Sequence, residues 1–144
     1  PATQEHLPEL VSLFDLYRIF YKQISDKEGS KIFLKNRIKN NESVIFLAFY
    51  NGKPAGFTQL FTTFSSVGLS SVFILNDLYV DIEYRKKGVG EALLNKAKEY
   101  CIEKGYKGLA LETSTENPAQ RLYEKLGWQK DSECFHYFWT APKA

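Results

Sequence analysis

The sequence predicts an α+β domain built on a mixed sheet, and three observations predict it. Residues 43–50 and 55–63 are apolar, strand-like runs on either side of Asn51-Gly52, the strongest short hairpin signal, which makes an antiparallel pair. Residues 72–113 then read strand, helix, strand, and the right-handed crossover rule makes those two strands parallel. Amphipathic helical patterns precede the hairpin and follow the parallel unit,.

The chain has 144 residues, the size of one domain that buries a core without disulfide staples. Its 44% hydrophobic and 25% charged residues exclude collagen, coiled coil and wholesale disorder. The 15% of aromatic residues argues for extensive sheet or an aromatic-lined interface. Nineteen basic against seventeen acidic residues leave a net charge of +2, which gives no electrostatic case for nucleic acid or an anionic membrane. The longest apolar runs, residues 44–50 and 72–80, fall short of the roughly 20 residues that cross a bilayer. Cys101 and Cys134 are the only cysteines and neither sits in CxxC, so two reduced thiols in a cytoplasmic protein are expected. No signal peptide is visible. His6 and His136 lack metal-ligand spacing, so no metal is expected. The chain contains no Met and begins at Pro1.

Each element has its own justification. Over residues 7–23, Leu7, Leu10, Val11, Phe14, Tyr17 and Tyr21 form one apolar stripe, with Pro8 tolerable in a first turn. Residues 27–40 read as a second helix through Ile32, Phe33, Leu34 and Ile38. After the hairpin, a Ser/Gly-rich loop at 64–71 leads to a third strand at 72–80. A long helix from 88 to 104 buries Val89, Leu93, Ala97, Tyr100 and Cys101, and Gly105 stops it,. Leu109-Ala110-Leu111 reads as a short strand covered on both faces. Asn117-Pro118 opens a last helix that Gly127 ends. Short strands near 128–131 and 134–140 close the chain. The aromatic run at 135–139 suits a dimer surface or two-sided burial equally.

The segment that carries chemistry is Val80-Asp-Ile-Glu-Tyr-Arg-Lys-Lys-Gly-Val-Gly-Glu-Ala-Leu-Leu94. A strand ends, a basic loop follows, and Gly-x-Gly opens an amphipathic helix. Helix N-termini carry unsatisfied N–H groups and partial positive charge. Glycine lets that backbone approach a ligand, and Arg85, Lys86 and Lys87 add charge beside it. Together they suit a pyrophosphate; alone, the same residues also suit a solvated basic turn. The P-loop pattern is absent. The dinucleotide fingerprint fails because Leu93 stands at its third Gly and Asp81 to Lys87 separate the strand from the first.

Two signatures in register give this chain its resemblance. Arg85-Lys-Lys-Gly88-Val-Gly90 matches [RQ]xxGxG/A, and Ala119-Gln-Arg-Leu122-Tyr123-Glu-Lys-Leu-Gly127-Trp128 matches A-x-x-L-Y-E-K-x-G-[FW], with one strand between them. The sequence resembles the GCN5-related N-acetyltransferase (GNAT) superfamily over nearly its whole length. Within it, Ile74-Leu-Asn-Asp-Leu-Tyr-Val80 is similar to the Hpa2-like branch. The resemblance implies the GNAT fold: a mixed, mostly antiparallel central sheet with a parallel βαβ core and helices on both faces. It implies one N-acetyltransferase domain over residues 1–144 whose first strand is truncated, since relatives carry a strand ending in Arg-x-Ala-Thr and this chain opens at Pro1-Ala2-Thr3.

The resemblance also implies acetyl-CoA as co-substrate. Its pantetheine would lie along Leu78, Tyr79 and Val80 as an added strand, although an ordinary central strand reads the same. Its pyrophosphate would meet the Arg85 loop, with the backbone of Lys86, Lys87, Gly88, Val89 and Gly90 and the N–H of Glu91. Asn117 is the family's pantetheine ligand and equally a helix N-cap; it stands one residue closer to Tyr123 than the family's usual spacing. Tyr123 is the candidate acid, since a phenol stays protonated at neutral pH and can protonate the leaving thiolate; a core aromatic is the alternative. Glu112, at the carboxyl end of a buried strand, is the candidate base, with Asp77 as rival or no dedicated base at all. The expected reaction is direct transfer of acetyl to a primary amine of a small molecule. A protein or peptide acetyltransferase, or a non-catalytic CoA-binding module, is the alternative. A homodimer is the expected assembly.

Overall fold

A computed structural model of the chain describes residues 1–113, 117, 119–131 and 137–142. The chain divides into two compact units, Pro1–Glu112 and Thr113–Ala144. The first holds a four-stranded sheet ordered β1-β2-β3-β4, with β1 Ser43–Tyr50, β2 Lys53–Ser65, β3 Ser70–Val80 and β4 Leu109–Ala110. The first three strands are antiparallel and β4 runs parallel to β3. Asn51 and Gly52 adopt φ of 51° and 80°, the left-handed pair that a two-residue hairpin turn needs.

Helices cover both faces. In β1, Ile45 packs with Leu10, Leu13 and Phe14 of α1 (Leu7–Phe20) and Leu34 of α2 (Lys27–Lys39). Its neighbour Phe46 points the other way, its ring 5.4 Å from Tyr100 of α3 (Val89–Glu103). Successive strand residues face opposite sides, so α1 and α2 lie on one face and α3 on the other. A short 3-10 turn, Gln4–His6, capped by Thr3, leads into α1.

Several expectations move. The first helix ends at Phe20, not residue 23, because Lys22 turns to φ 63° and the Gln23 N–H closes on the Arg18 carbonyl at 2.9 Å. Tyr21 therefore lies past the helix and exposed, while Leu13 joins the core. In α2, Asp26 caps Gly29 N–H at 2.8 Å. Ile32 and Phe33, two of its apolar positions, are 54% and 39% exposed. The inward stripe instead follows Ser30, Leu34 and Ile38 at four-residue spacing,. The strands β2 and β3 run further toward their turn than the Ser/Gly-rich loop suggested, leaving only residues 66–69 between them. In β4, Ala110 is exposed and Leu109 half-buried, so the strand is not the wholly buried one expected; among the described residues it bonds to β3 alone.

The helix α3 buries Val89, Leu93, Leu94, Ala97 and Cys101. Gly105, at φ 71°, lets the Tyr106 N–H close on the Cys101 carbonyl at 3.1 Å,. Burial pushes the Cys101 thiol pKa up, which suits an inert core residue. Opposite α3, a Cβ on Gly56 would stand 2.6 Å from the Tyr79 carbonyl oxygen of β3 and 3.3 Å from the Leu93 side chain of the helix, so there is no room for a side chain there.

In the second unit, α4 is short, Gln120–Lys125. Gly127, at φ 91°, ends it, and the Trp128 N–H closes on the Tyr123 carbonyl at 3.0 Å. That bond explains why no strand forms at 128–131: Trp128 finishes the helix, and Gln129, Lys130 and Asp131 are exposed. Residues 137–140 are likewise in no strand and exposed. Pro118, Cys134 and His136 lie outside the described residues, as does the first part of the expected last strand.

Candidate active site

The site in the first unit begins with a change of parity in β3. Before the change, Ser71 and Phe73 direct their backbone toward β4: the Lys107 N–H donates to the Ser71 carbonyl at 2.9 Å, and the Phe73 N–H donates to the Gly108 carbonyl at 3.0 Å. Gln59 stands opposite Asp77 but Leu60 opposite Leu75, so Asn76 is the extra residue of a β-bulge,. After it, the Asp81 N–H donates to the Ala55 carbonyl at 2.8 Å. Asp77, Tyr79 and Asp81 thus turn their backbone toward β2, and Leu78 and Val80 turn theirs to the other side. On that side β4 pairs only with Phe73 and Ile74. No strand among the described residues continues along Leu78 and Val80, whose peptide groups face that side, the Val80 carbonyl accepting from Arg85 Nε at 3.0 Å.

The edge runs into a loop and a helix start. The Asp81 carboxylate caps a 3-10 turn, Ile82–Tyr84, by accepting from Glu83 N–H at 3.1 Å. Lys86 sits at φ 63° and Gly88 at φ 82°. Gly88 is the N-cap of α3 and offers no side-chain cap, so the N–H groups of Val89, Gly90 and Glu91 point out of the helix end. A Cβ built on Gly88 would meet nothing within 4 Å. The approach is open, and an anion fits it on geometry and on the helix dipole. Lys86 and Lys87 are exposed beside it, Lys87 with its Nζ 5.1 Å above the Tyr50 ring. The open edge suits an extended amide chain and the helix start a pyrophosphate, so the residues present fit the co-substrate that the signatures imply.

Not every expected residue joins this arrangement. The Tyr79 backbone is taken up by β2, while its ring packs against Phe57, Tyr17 and Phe20 at 6.1–6.5 Å between centroids. Burial pushes its phenol pKa up, and nearby Asp81 adds to that while Arg85 opposes it. Arg85 turns away from the helix start: its Nε donates to the Val80 carbonyl at 3.0 Å, and its guanidinium lies 5.6 Å from the Phe20 ring and 5.8 Å from the Tyr79 ring. Glu112 is exposed just beyond β4. Asp77 is buried and accepts from Gln59 Nε2 at 2.5 Å and Asn76 Nδ2 at 3.1 Å, and Gln59 in turn accepts from Ser43 Oγ at 2.7 Å.

In the second unit, Asn117 Oδ1 accepts from the Ala119 N–H at 2.9 Å; the N-cap of α4 is Ala119, with no side-chain cap, so Asn117 lies two residues ahead of the cap position expected for it. Tyr123 is buried on α4, its ring 5.9 Å from Trp128. Sequence reasoning missed the Ser43–Gln59–Asp77 chain and the ring group Tyr17, Phe20 and Tyr21. The signal for the first was Gln59 and Asp77, polar residues inside two apolar strands, with Ser43 at the start of a third. Among the described residues, no cluster of three or more His, Cys, Asp or Glu could hold a metal, and no helix is long and apolar enough to cross a membrane.

Comparison with known proteins agrees with this geometry. The sequence profile of the Acetyltransferase (GNAT) family matches residues 10–128. The chain is 46% identical over 134 residues to the uncharacterized N-acetyltransferase YhfO of Bacillus subtilis (strain 168), covering 92% of this chain and 90% of that protein. It matches the crystal structure of a probable acetyltransferase with a TM-score of 0.92 at 40% identity, over 99% of this chain and 97% of that one. An aminoglycoside N-acetyltransferase in complex with CoA shares the fold, with a TM-score of 0.81 at 19% identity over 97% of this chain and 92% of that one. Profile, relatives and fold converge with the two signatures: the chain belongs to the acetyltransferase (GNAT) family and is an acetyl-CoA-dependent acetyltransferase.

Proposed function

We propose that the protein transfers acetyl from acetyl-CoA to the primary amine of a small molecule, by direct attack with both substrates bound. The observation that carries this reading is the open edge of β3 running into the uncapped start of α3. Leu78 and the N–H of Val80 would pair with the pantetheine amides as a strand would, beside the Val80 carbonyl that Arg85 Nε already holds. The N–H groups from Lys86 to Glu91, with the charges of Lys86 and Lys87, would hold the pyrophosphate. Asn117, whose Oδ1 accepts from the Ala119 N–H, would add its amide to the pantetheine. The rings of Tyr17, Phe20, Tyr21 and Tyr79 stand 5.1–6.5 Å from one another in successive contacts; so compact a wall on the α1 side suits a small amine.

Acetyl-CoA supplies the activated thioester. A primary amine is mostly protonated at neutral pH, so a base must free its lone pair before the nitrogen bonds to the acetyl carbon. Glu112 is proposed for that role, directly or through water. Asp77 suits it less, because both its oxygens already accept from amides. As the carbon–sulfur bond breaks, the thiolate needs a proton, and the Tyr123 phenol would give it.

The test is an acetylation assay over a panel of small amines and peptides, read by thiol release, on the wild type and Tyr123→Phe. Loss of the acid should cut turnover on small amines by about 10² or more while acetyl-CoA affinity holds. Unchanged turnover removes Tyr123 from the chemistry. Thiol release with peptides alone moves the acceptor class to proteins, and tight CoA binding without any release leaves a binding module.

A further inference from the structure

We propose that Arg85 is a positioning residue for the acceptor side of the site, and that its guanidinium is not a ligand of the pyrophosphate. In sequence it is the first of three cations beside a phosphate cradle, and it reads as an anion binder. In the structure its side chain leaves the loop in the other direction. Its Nε is committed to the Val80 carbonyl at 3.0 Å. Its guanidinium lies near two rings from different elements, Phe20 at the end of α1 and Tyr79 near the end of β3, at 5.6 and 5.8 Å. Those distances lie within the range in which a cation is held over an aromatic face, and the planar guanidinium suits that contact in a way an ammonium does not.

The end of α1 needs such a contact. Phe20 is the last helical residue and 51% exposed. Beyond it the chain reverses at Lys22, and Arg18 Nη1 holds the Ile24 carbonyl at 3.0 Å. The Phe20 ring meets Tyr21 at 5.2 Å and Tyr79 at 6.5 Å, and Arg85 joins that group from the cradle loop. The side chain therefore ties the α1 end to the strand whose open edge is proposed to take the thioester. This inference rests on the proposed placement of acetyl-CoA along β3 and of the amine against α1. Positive charge for the phosphates is left to Lys86, Lys87 and the helix start.

Three variants test it: Arg85→Lys, Phe20→Leu, and both together, each checked for a cooperative thermal transition. Acetyl-CoA and pantetheine affinities are measured by calorimetry, and kcat and KM are measured for the best amine of the panel. Loss of the planar guanidinium–ring contact should raise the acceptor KM by about three- to tenfold in either single variant, with kcat unchanged in both and acetyl-CoA affinity unchanged in Phe20→Leu. The double variant should be no worse than the poorer single, since both remove one interaction. Acetyl-CoA binding weakened in Arg85→Lys while pantetheine binding holds, with effects that multiply in the double variant, would make the guanidinium a phosphate ligand and overturn the proposal. An acceptor KM unchanged in both singles also overturns it. A wild type that binds no CoA and releases no thiol would instead defeat the function proposed above, and this inference with it.

Discussion

Asp15 shows how a single buried charge is accommodated in this protein. It is 2% exposed, and a buried carboxylate is costly unless its oxygens are bonded. Ser25 Oγ donates to one oxygen at 2.6 Å and the Asp26 N–H to the other at 2.8 Å. The Ser25 bond does most to hold its pKa below the ordinary 3.8; the Asp26 N–H, Lys27 and Arg18 assist, and burial opposes them. A depressed folded-state pKa means that the stabilisation is fully present above the unfolded value and is lost as pH falls through the folded one. Ser25→Ala should therefore cost about 1–2 kcal/mol at neutral pH, with the gap to the wild type narrowing below 3.8. Urea unfolding across that pH range checks it, and a gap independent of pH would contradict the assignment. Neither Asp15 nor its partner was visible in the periodicity, because Asp15 sits on the inward face of α1 between apolar neighbours and its donors come from the next loop. Asp77 was visible, as an acid interrupting an apolar strand; the Gln59 and Asn76 amides that satisfy it were not.

At the scale of elements, the start of α3 combines a backbone requirement with a proposed binding role, and the two can be separated. Gly88 and Gly105 flank the same helix, at φ 82° and 71°, and a Cβ on either would meet nothing within 4 Å. Alanine at either position should cost about 1–2 kcal/mol from the left-handed backbone alone. Only at Gly88 would the new methyl stand before the outward N–H groups. Gly88→Ala should thus lower CoA affinity by about tenfold or more, the loss of about 1.4 kcal/mol of phosphate contact, while Gly105→Ala leaves it intact. Equal CoA affinity in the two variants would remove the helix start from the site. The sequence disclosed this element well because its signals agree: Gly at both ends, and apolar residues at Val89, Leu93, Ala97 and Cys101. It disclosed β2 and β3 less well. Their extension through Phe64, Ser65 and Ser70 comes from cross-strand pairing, which overrides local turn composition. Trp128 misled because its apolar character suits a strand, whereas its N–H is spent on the end of α4.

Across the whole molecule, the legible part is what local chemistry dictates: the Asn51-Gly52 hairpin, the parallel β3–α3–β4 unit, and two signatures whose glycines and tyrosine stand at fixed spacing. The part that was not legible depends on contacts between distant residues, such as the β-bulge at Asn76 that turns Leu78 and Val80 outward and the swing of Arg85 toward Phe20. That division bears on how CoA should act on the folded protein. Any ligand that binds only the native state stabilises it, by about 2.7 kcal/mol at a concentration of 100 Kd. For a chain near 150 residues, about 2–4 °C of Tm per kcal/mol makes a rise of roughly 5–10 °C. The net charge of +2 supplies little general attraction for an anion, so the electrostatic share must come locally, from Lys86, Lys87 and the outward N–H groups. Exposed lysines are screened within about 8 Å at physiological ionic strength, whereas strand-like amide pairing along Leu78 and Val80 is not. Scanning calorimetry should therefore show a CoA-induced rise that shrinks but persists in high salt, and a smaller rise with pantetheine, whose own rise salt leaves unchanged. A CoA effect abolished by salt would leave only the cradle as a binding element. A pantetheine effect equal to that of CoA would leave only the strand edge.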